Sequence, residues 1–250
     1  MGRTRPFHVL SPEVIPNWYY FNGIVQLTMA FLFLPEMFLA MSKGWTSSVC
    51  STGSLYAGRI SGTVAALWVV SKATDLLETL LLVMDGRRPL MIHVVHHAFS
   101  LLFAFTYHNY HFAFLRWIIF LNLCAHVILY AYLSPRPFCF LRPCWLTVCA
   151  AQMIQLIIPF VAVVTATKTL AQGEPCHASV FHLAVAQLGL AFFLVLFADF
   201  YYERIVKYGR QRKRLLREDR RKKEIVGMNI RSSQTQSCSA RSSSENSDEQ

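Results

Sequence analysis

Three histidines, His93, His96 and His97, sit inside the apolar run 90–107. On a helix, positions i, i+3 and i+4 share a face, so all three imidazoles point one way. Neutral imidazole can attack an activated carbonyl and move protons near neutral pH, and it is also a common metal ligand. The run is long enough to cross a bilayer, where each ionisable side chain costs roughly a few kcal/mol. A lone histidine there reads as a core group. Three on one stripe read as a reactive or binding site.

Other apolar segments carry matching polar stripes. Lys72, Asp75, Glu78 and Thr79 fall within one helical face roughly 120° wide. Asn122, His126 and Tyr130 follow at intervals of four, with Tyr132 just off the stripe, and Cys149, Gln152 and Gln155 at intervals of three. At about 1.5 Å rise per residue, His97 and His126 lie roughly 10 Å from one end of their helices, and Lys72 roughly 18 Å. Glu78 and Gln152 fall near the level of the histidines, with Asp75 somewhat deeper. Four helices thus offer polar faces at similar depth, which predicts one internal cavity. Simpler readings stay open: Lys72 with Asp75 as a structural ion pair, and the two glutamines as helix bridges. Glu36 has no visible partner. His108, His111 and His182 read as interfacial, and His8 and His177 as loop residues.

The elements that must position these groups follow from composition. The chain has 250 residues, 54% hydrophobic and 15% charged, with mean hydropathy +0.36. That predicts an all-α, polytopic membrane helix bundle. Six spans are expected, at about 18–41, 60–84, 90–107, 112–133, 145–165 and 180–202. They form a membrane domain over 18–208, preceded by a segment 1–17 and followed by a basic, then Ser-rich, disordered tail over 209–250. No cleavable signal peptide is apparent. The net charge is +10, and Arg204 to Arg231 carry 12 of the 24 Lys and Arg residues. A basic run beside a last span points to an anionic membrane surface, not to nucleic acid, because it has few aromatics and no recognisable nucleic-acid fold. Arg3, Arg5, Arg87, Arg88, Arg136 and Arg142 lie on the tail's side, which places both termini in the cytosol. Only Cys50 and Cys176 then fall in non-cytosolic loops. They form a disulfide if that side is an oxidising lumen, and are two free thiols otherwise.

At this point the sequence resembles the fatty-acid elongase (ELO) family of condensing enzymes. The family pattern Lys-x-x-Glu-x-x-Asp-Thr is matched by Lys72, Asp75, Glu78 and Thr79, with the two acids exchanged. His93, His96 and His97 supply the His-x-x-His-His box. Asn122, His126, Tyr130 and Tyr132 follow the third pattern, which departs at Leu129 and Leu133. Cys149, Gln152 and Gln155 follow the fourth, and Phe200-Tyr201 closes the match before the basic tail. Members usually have seven spans, and this chain is expected to lack the first, which stands outside the catalytic bundle.

The resemblance implies an endoplasmic-reticulum membrane enzyme that condenses acyl-CoA with malonyl-CoA, giving 3-ketoacyl-CoA, CoA and carbon dioxide, with no metal and no cofactor. It assigns acyl transfer to the histidine box, and positioning or polarising of malonyl-CoA to His126 and Asn122. Lys72, Asp75, Glu78, Thr79, Tyr130, Gln152 and Gln155 are substrate-binding candidates. Arg87, Arg88, Arg142 and Lys207 are candidates for CoA phosphates, although positive-inside bias explains them equally well. Membrane lipid is the expected surroundings; a homodimer and other enzymes of the elongation cycle are left open as partners. Two other classes remain: a metal-dependent membrane lipid oxidase or desaturase, since histidine boxes also bind iron, and an intramembrane transporter using Lys72, Asp75 and Glu78 as a relay.

Overall fold

The computed structural model describes residues 11–134 and 143–245. Arg3, Arg5, Arg136 and Arg142 lie outside the described residues. Among the described residues, seven helices follow one another: α1 (Val14–Ser42), α2 (Trp45–Cys50), α3 (Arg59–Met84), α4 (Met91–Asn109), α5 (Leu115–Leu133), α6 (Trp145–Ala171) and α7 (Val180–Glu245). The fold class is the expected one, a helical membrane protein. Among the described residues, four helices are long and apolar enough to cross a membrane: Val14–Ser42, Leu115–Leu133, Trp145–Ala171 and Val180–Glu218. Six were expected. With 26 and 19 residues, α3 and α4 have the length. They fall short in apolarity because they carry the Lys, Asp, Glu and His stripes, and those stripes turn inward.

Helix ends are set by local chemistry. After α3, Gly86 takes φ 73°, the Gly86 N–H donates to Val83 O, and the Arg87 N–H donates to Leu82 O. After α6, Gly173 repeats the motif at φ 78°, with bonds from Gly173 to Leu170 O and from Glu174 to Thr169 O. Both are glycine-closed ends that return the last carbonyls to hydrogen bonds. The short α2, absent from the sequence reading, begins after Gly44 (φ 93°) and lies in the link between α1 and α3.

The packing falls into two compact units, Met1–Ala198 and Asp199–Gln250. In the first, α1 packs mainly on α5 and also on α3, α3 on α4, and α5 on α6, while α2 rests on α6 and α1. Large apolar side chains such as Phe31, Phe38, Leu102, Phe105 and Leu188 point outward, as a lipid-facing surface requires. In the second unit, α7 stays helical to Glu245, where a disordered tail was expected from 209. Its Arg, Lys, Leu and Glu residues favour helix, and Lys207 bonds Glu203 four residues back at 2.8 Å. Arg204 lies over the Phe200 ring at 5.0 Å.

One end of the first unit is locked by groups distant in sequence. A disulfide joins Cys50 to Cys176, the His177 N–H donates to Cys50 O, and the Ala113 N–H donates to His177 O. Beside it, Arg116 is 1% exposed and pairs with Glu36, its Nε donating to Oε1 at 2.9 Å. The same guanidinium donates to the carbonyls of Ser48, Ser51 and Thr52, and Ser54 donates to the other Glu36 oxygen at 2.5 Å. Glu36, without a partner in the sequence reading, thus has two. Removing one member of a buried pair strands the other charge, at about 3–5 kcal/mol. Glu36→Ala is therefore expected to lower the thermal midpoint of the detergent-purified protein sharply; an unchanged midpoint would contradict this account of Arg116.

Candidate active site

The polar stripes of α3, α4, α5 and α6 meet in one chamber. On α3, Lys72 is 1% exposed, and its Nζ donates to Asp75 Oδ2 and to Asn122 Oδ1 of α5, each at 2.7 Å. The Trp68 indole N–H donates to the same Asn122 oxygen at 3.0 Å. Asn122 Nδ2 then donates to Gln155 Oε1 of α6 at 3.3 Å, and Gln155 Nε2 to Gln152 Oε1 at 2.6 Å. This chain of hydrogen bonds ties three helices together through a buried charge. Such a charge is tolerated only when paired and hydrogen-bonded.

The two acids share the Tyr130 hydroxyl, and Asp75 also takes Lys72. Asp75 holds Lys72, while Glu78 Oε2 accepts from the Tyr130 hydroxyl at 2.8 Å, with Asp75 Oδ1 at 3.4 Å from that hydroxyl. Thr79 Oγ1 and His97 Nδ1 lie 2.9 Å apart, which joins α3 to α4. The His93 and His97 rings are 3.9 Å apart between centroids, and His93 Nε2 lies 3.9 Å from Glu78 Oε1. His126 is buried, with Nδ1 3.7 Å from Asp75 Oδ1, beyond hydrogen-bonding distance.

The third ring of the box, His96, lies beside His97 at a centroid distance of 5.9 Å. With Lys72, Asn122 and Gln155 it lines a cavity of about 70 Å³, walled by Phe99, Phe103, Leu156, Leu190 and Phe193. The Phe193 and Phe197 rings stand edge-on to His96, at centroid distances of 5.1 and 5.7 Å. The cavity therefore offers one imidazole, one ammonium, two amides, the Ser100 hydroxyl and the Trp68 indole, and hydrocarbon elsewhere. Such a site can bind a carbonyl oxygen, present a nucleophile to it and exclude water.

All twelve chamber residues expected from the stripes lie on the four helices that form it. Of the cation candidates, Arg87 and Arg88 do not join them. Arg87 is exposed at the end of α3 and bonds Asp85 at 2.7 Å, Arg88 is exposed, Arg142 lies outside the described residues, and Lys207 belongs to the second unit. Cys50 and Cys176 form the disulfide at the Arg116–Glu36 end. Trp68, Phe99 and Phe193 were missed. Trp68 had a signal, lying one turn before Lys72 on its stripe; the other two are apolar and carry none. Among the described residues, no three His, Cys, Asp or Glu side chains are grouped so as to hold a metal ion.

The ELO family model, described as the GNS1/SUR4 family, matches residues 1–214. The chain belongs to the ELO family. Its relatives include long chain fatty acid elongase 2 of Caenorhabditis elegans, 27% identical over 83% of this chain and 77% of that protein. Very long chain fatty acid elongase 6 of Gallus gallus is 25% identical over 81% and 76%, respectively. Very long chain fatty acid elongase F of Drosophila melanogaster is 29% identical over 84% and 83%. No solved structure matches the chain. The family pattern thus corresponds to real contacts in this member: of the exchanged acids, Asp75 holds Lys72, and both accept from the Tyr130 hydroxyl. Tyr130→Phe removes the only hydroxyl given to Glu78 among the described residues, and a buried acceptor left unpaired costs about 1–3 kcal/mol. A lower thermal midpoint is expected; a midpoint equal to wild type would contradict the assignment.

Proposed function

We propose that this ELO-family membrane enzyme condenses acyl-CoA with malonyl-CoA in the cavity beside His96. The chain is a fatty-acid elongase, and the observation supporting this site is the cavity itself, where His96, Lys72, Asn122 and Gln155 meet under aromatic walls. His96 attacks the acyl thioester carbon; the carbon–sulfur bond breaks, and the imidazole proton leaves with the CoA thiolate. The acyl group is then carried on the ring nitrogen. Lys72 and the Asn122 and Gln155 amides stabilise the oxyanion of the tetrahedral stage.

Malonyl-CoA next loses carbon dioxide, and the electron pair of the broken carbon–carbon bond forms an enolate. The enolate carbon attacks the acyl carbonyl, forms the new carbon–carbon bond and frees the imidazole. One proton is taken up overall and appears on the released CoA. His126 orients or polarises malonyl-CoA, and the remaining box histidines hold the ring geometry through Thr79 and Glu78. Phe99, Phe103 and Phe193 keep water from the acyl group before condensation. The enzyme lies in the endoplasmic-reticulum membrane with both termini in the cytosol, and CoA phosphates meet Arg87 and Arg88 on that side. The Cys50–Cys176 disulfide fits the lumenal side of this topology.

Microsomes containing the protein, given long-chain acyl-CoA and labelled malonyl-CoA, are expected to form labelled 3-ketoacyl product. His96→Ala is expected to reduce it by about 10²-fold or more. Equal product from both would overturn the role of His96, and none from the folded wild type across long and very long acyl chains would overturn the condensation. Cavity width gives a second test. A Cβ at Gly189 would sit 2.8 Å from Phe99 Cζ, so Gly189→Ala forces the ring to move. Overpacking of about 1–3 kcal/mol then falls on acyl chains that fill the cavity. The longest products should decline relative to the shortest; an unchanged product distribution would contradict the placement of the acyl chain.

A further inference from the structure

One buried polar side chain has no place in the chamber network. Gln26 of α1 is 0% exposed, and among the described residues neither its amide nitrogen nor its amide oxygen has a hydrogen-bond partner. Buried amides are nearly always paired, so one left wholly unpaired calls for an explanation. Its position supplies one. Two contacts fix α1 and α5 as antiparallel neighbours: a Cβ at Gly23 would lie 3.3 Å from Tyr130 Cβ, and Glu36 bonds Arg116. Tyr19 reinforces the first, its ring centroid 6.0 Å from that of Tyr130.

Between those two pairings, one turn beyond Gly23 on α1 corresponds to one turn before Tyr130 on α5. The residue level with Gln26 is therefore His126. Further along, Met29 and Phe33 share a core cluster with Leu123 and Ile119, as this register requires. His126 is itself buried, and its Nδ1 has no hydrogen-bond partner among the described residues. Other polar groups near this level are engaged. Asp75 serves Lys72 and Tyr130, and Ser71 donates to Trp68 O. Two unsatisfied groups thus remain at one level of two packed helices.

We propose that Gln26 is a positioning residue for His126: with substrate bound, its Oε1 accepts the Nδ1–H of the ring. This rests on the condensation reading of the chamber. That bond holds the proton on Nδ1, turns the ring and leaves the Nε2 lone pair directed at the substrates. Tautomer control of this kind is the usual work of the group behind a functional histidine. The bond forms by rotation of the Gln26 side chain, which no polar contact restrains. Asp75 is the competing acceptor, at 3.7 Å from Nδ1, with its own oxygens already bound.

The test uses full-length protein in nanodiscs, labelled with ¹⁵N-histidine, in the presence of long-chain acyl-CoA. The His126 signals are those lost in His126→Ala. Wild type and Gln26→Glu, which keeps an acceptor, are expected to hold the Nδ1–H tautomer. Gln26→Met and Gln26→Leu are expected to lose it, with kcat down at least about tenfold and KM for both substrates within about twofold. The thermal midpoint of Gln26→Met should hold or rise, because an unpaired amide gives way to an apolar chain of similar shape. The same tautomer in Gln26→Met and Gln26→Leu, lost only in Asp75→Asn, would overturn the proposal, as would an unchanged kcat. Misfolding of both apolar variants would assign Gln26 to structure and also overturn it. A Gln26-dependent tautomer in a wild type that forms no 3-ketoacyl product would uphold the positioning role and overturn condensation instead.

Discussion

A lysine ammonium buried among membrane helices is the constraint the rest of this structure answers to. Lys72 is tolerated because Asp75 neutralises it and Asn122 accepts a second bond from it. Asn122 in turn places Gln155, and Gln155 places Gln152, so one charge aligns α3, α5 and α6. The second acid extends the arrangement: Glu78 takes the Tyr130 hydroxyl, and Thr79 takes His97 of α4. None of these helices can slide by a turn without stranding a buried polar group. The chamber is preorganised because its parts are expensive to leave unpaired.

A second buried pair performs the same service at the far end. Arg116 reaches across to Glu36 and to three carbonyls that close the link between α1 and α3, next to the Cys50–Cys176 disulfide. This end carries no candidate chemistry, yet it fixes the register of α1 against α5. Through that register it decides which residues of α1 lie level with the histidine of α5. Structure at one end thereby sets geometry at the other.

The chamber was largely legible in the sequence because helical spacing is a strong signal against an apolar background. Lys72, Asp75, Glu78 and Thr79, or His93, His96 and His97, stand out once read every third or fourth position. Pairings between helices were not legible. Glu36 and Arg116 are 80 residues apart, and each is a lone charge on its own helix. Gln26 does have a polar companion at helical spacing, the buried Asn22 four residues before it, but its level with His126 depends on how α1 pairs with α5 and was not legible. The count of apolar spans was also distorted by function. The stripes that mark α3 and α4 as chamber walls lower the hydropathy by which spans are recognised, while α2 is too short for periodicity to register. Beyond Tyr202, apolarity ends but helix propensity does not, so the two signals part company and the helix runs on.

The central claim is that His96 carries the acyl group between its two carriers. Purified protein incubated with long-chain acyl-CoA alone, digested under conditions that preserve acyl-imidazoles and read by mass spectrometry, tests it most directly. The account predicts release of CoA and an acyl mass on His96 that disappears when malonyl-CoA is added. A folded preparation that forms 3-ketoacyl product but leaves the acyl mass on another residue, or releases no CoA until malonyl-CoA arrives, would contradict it.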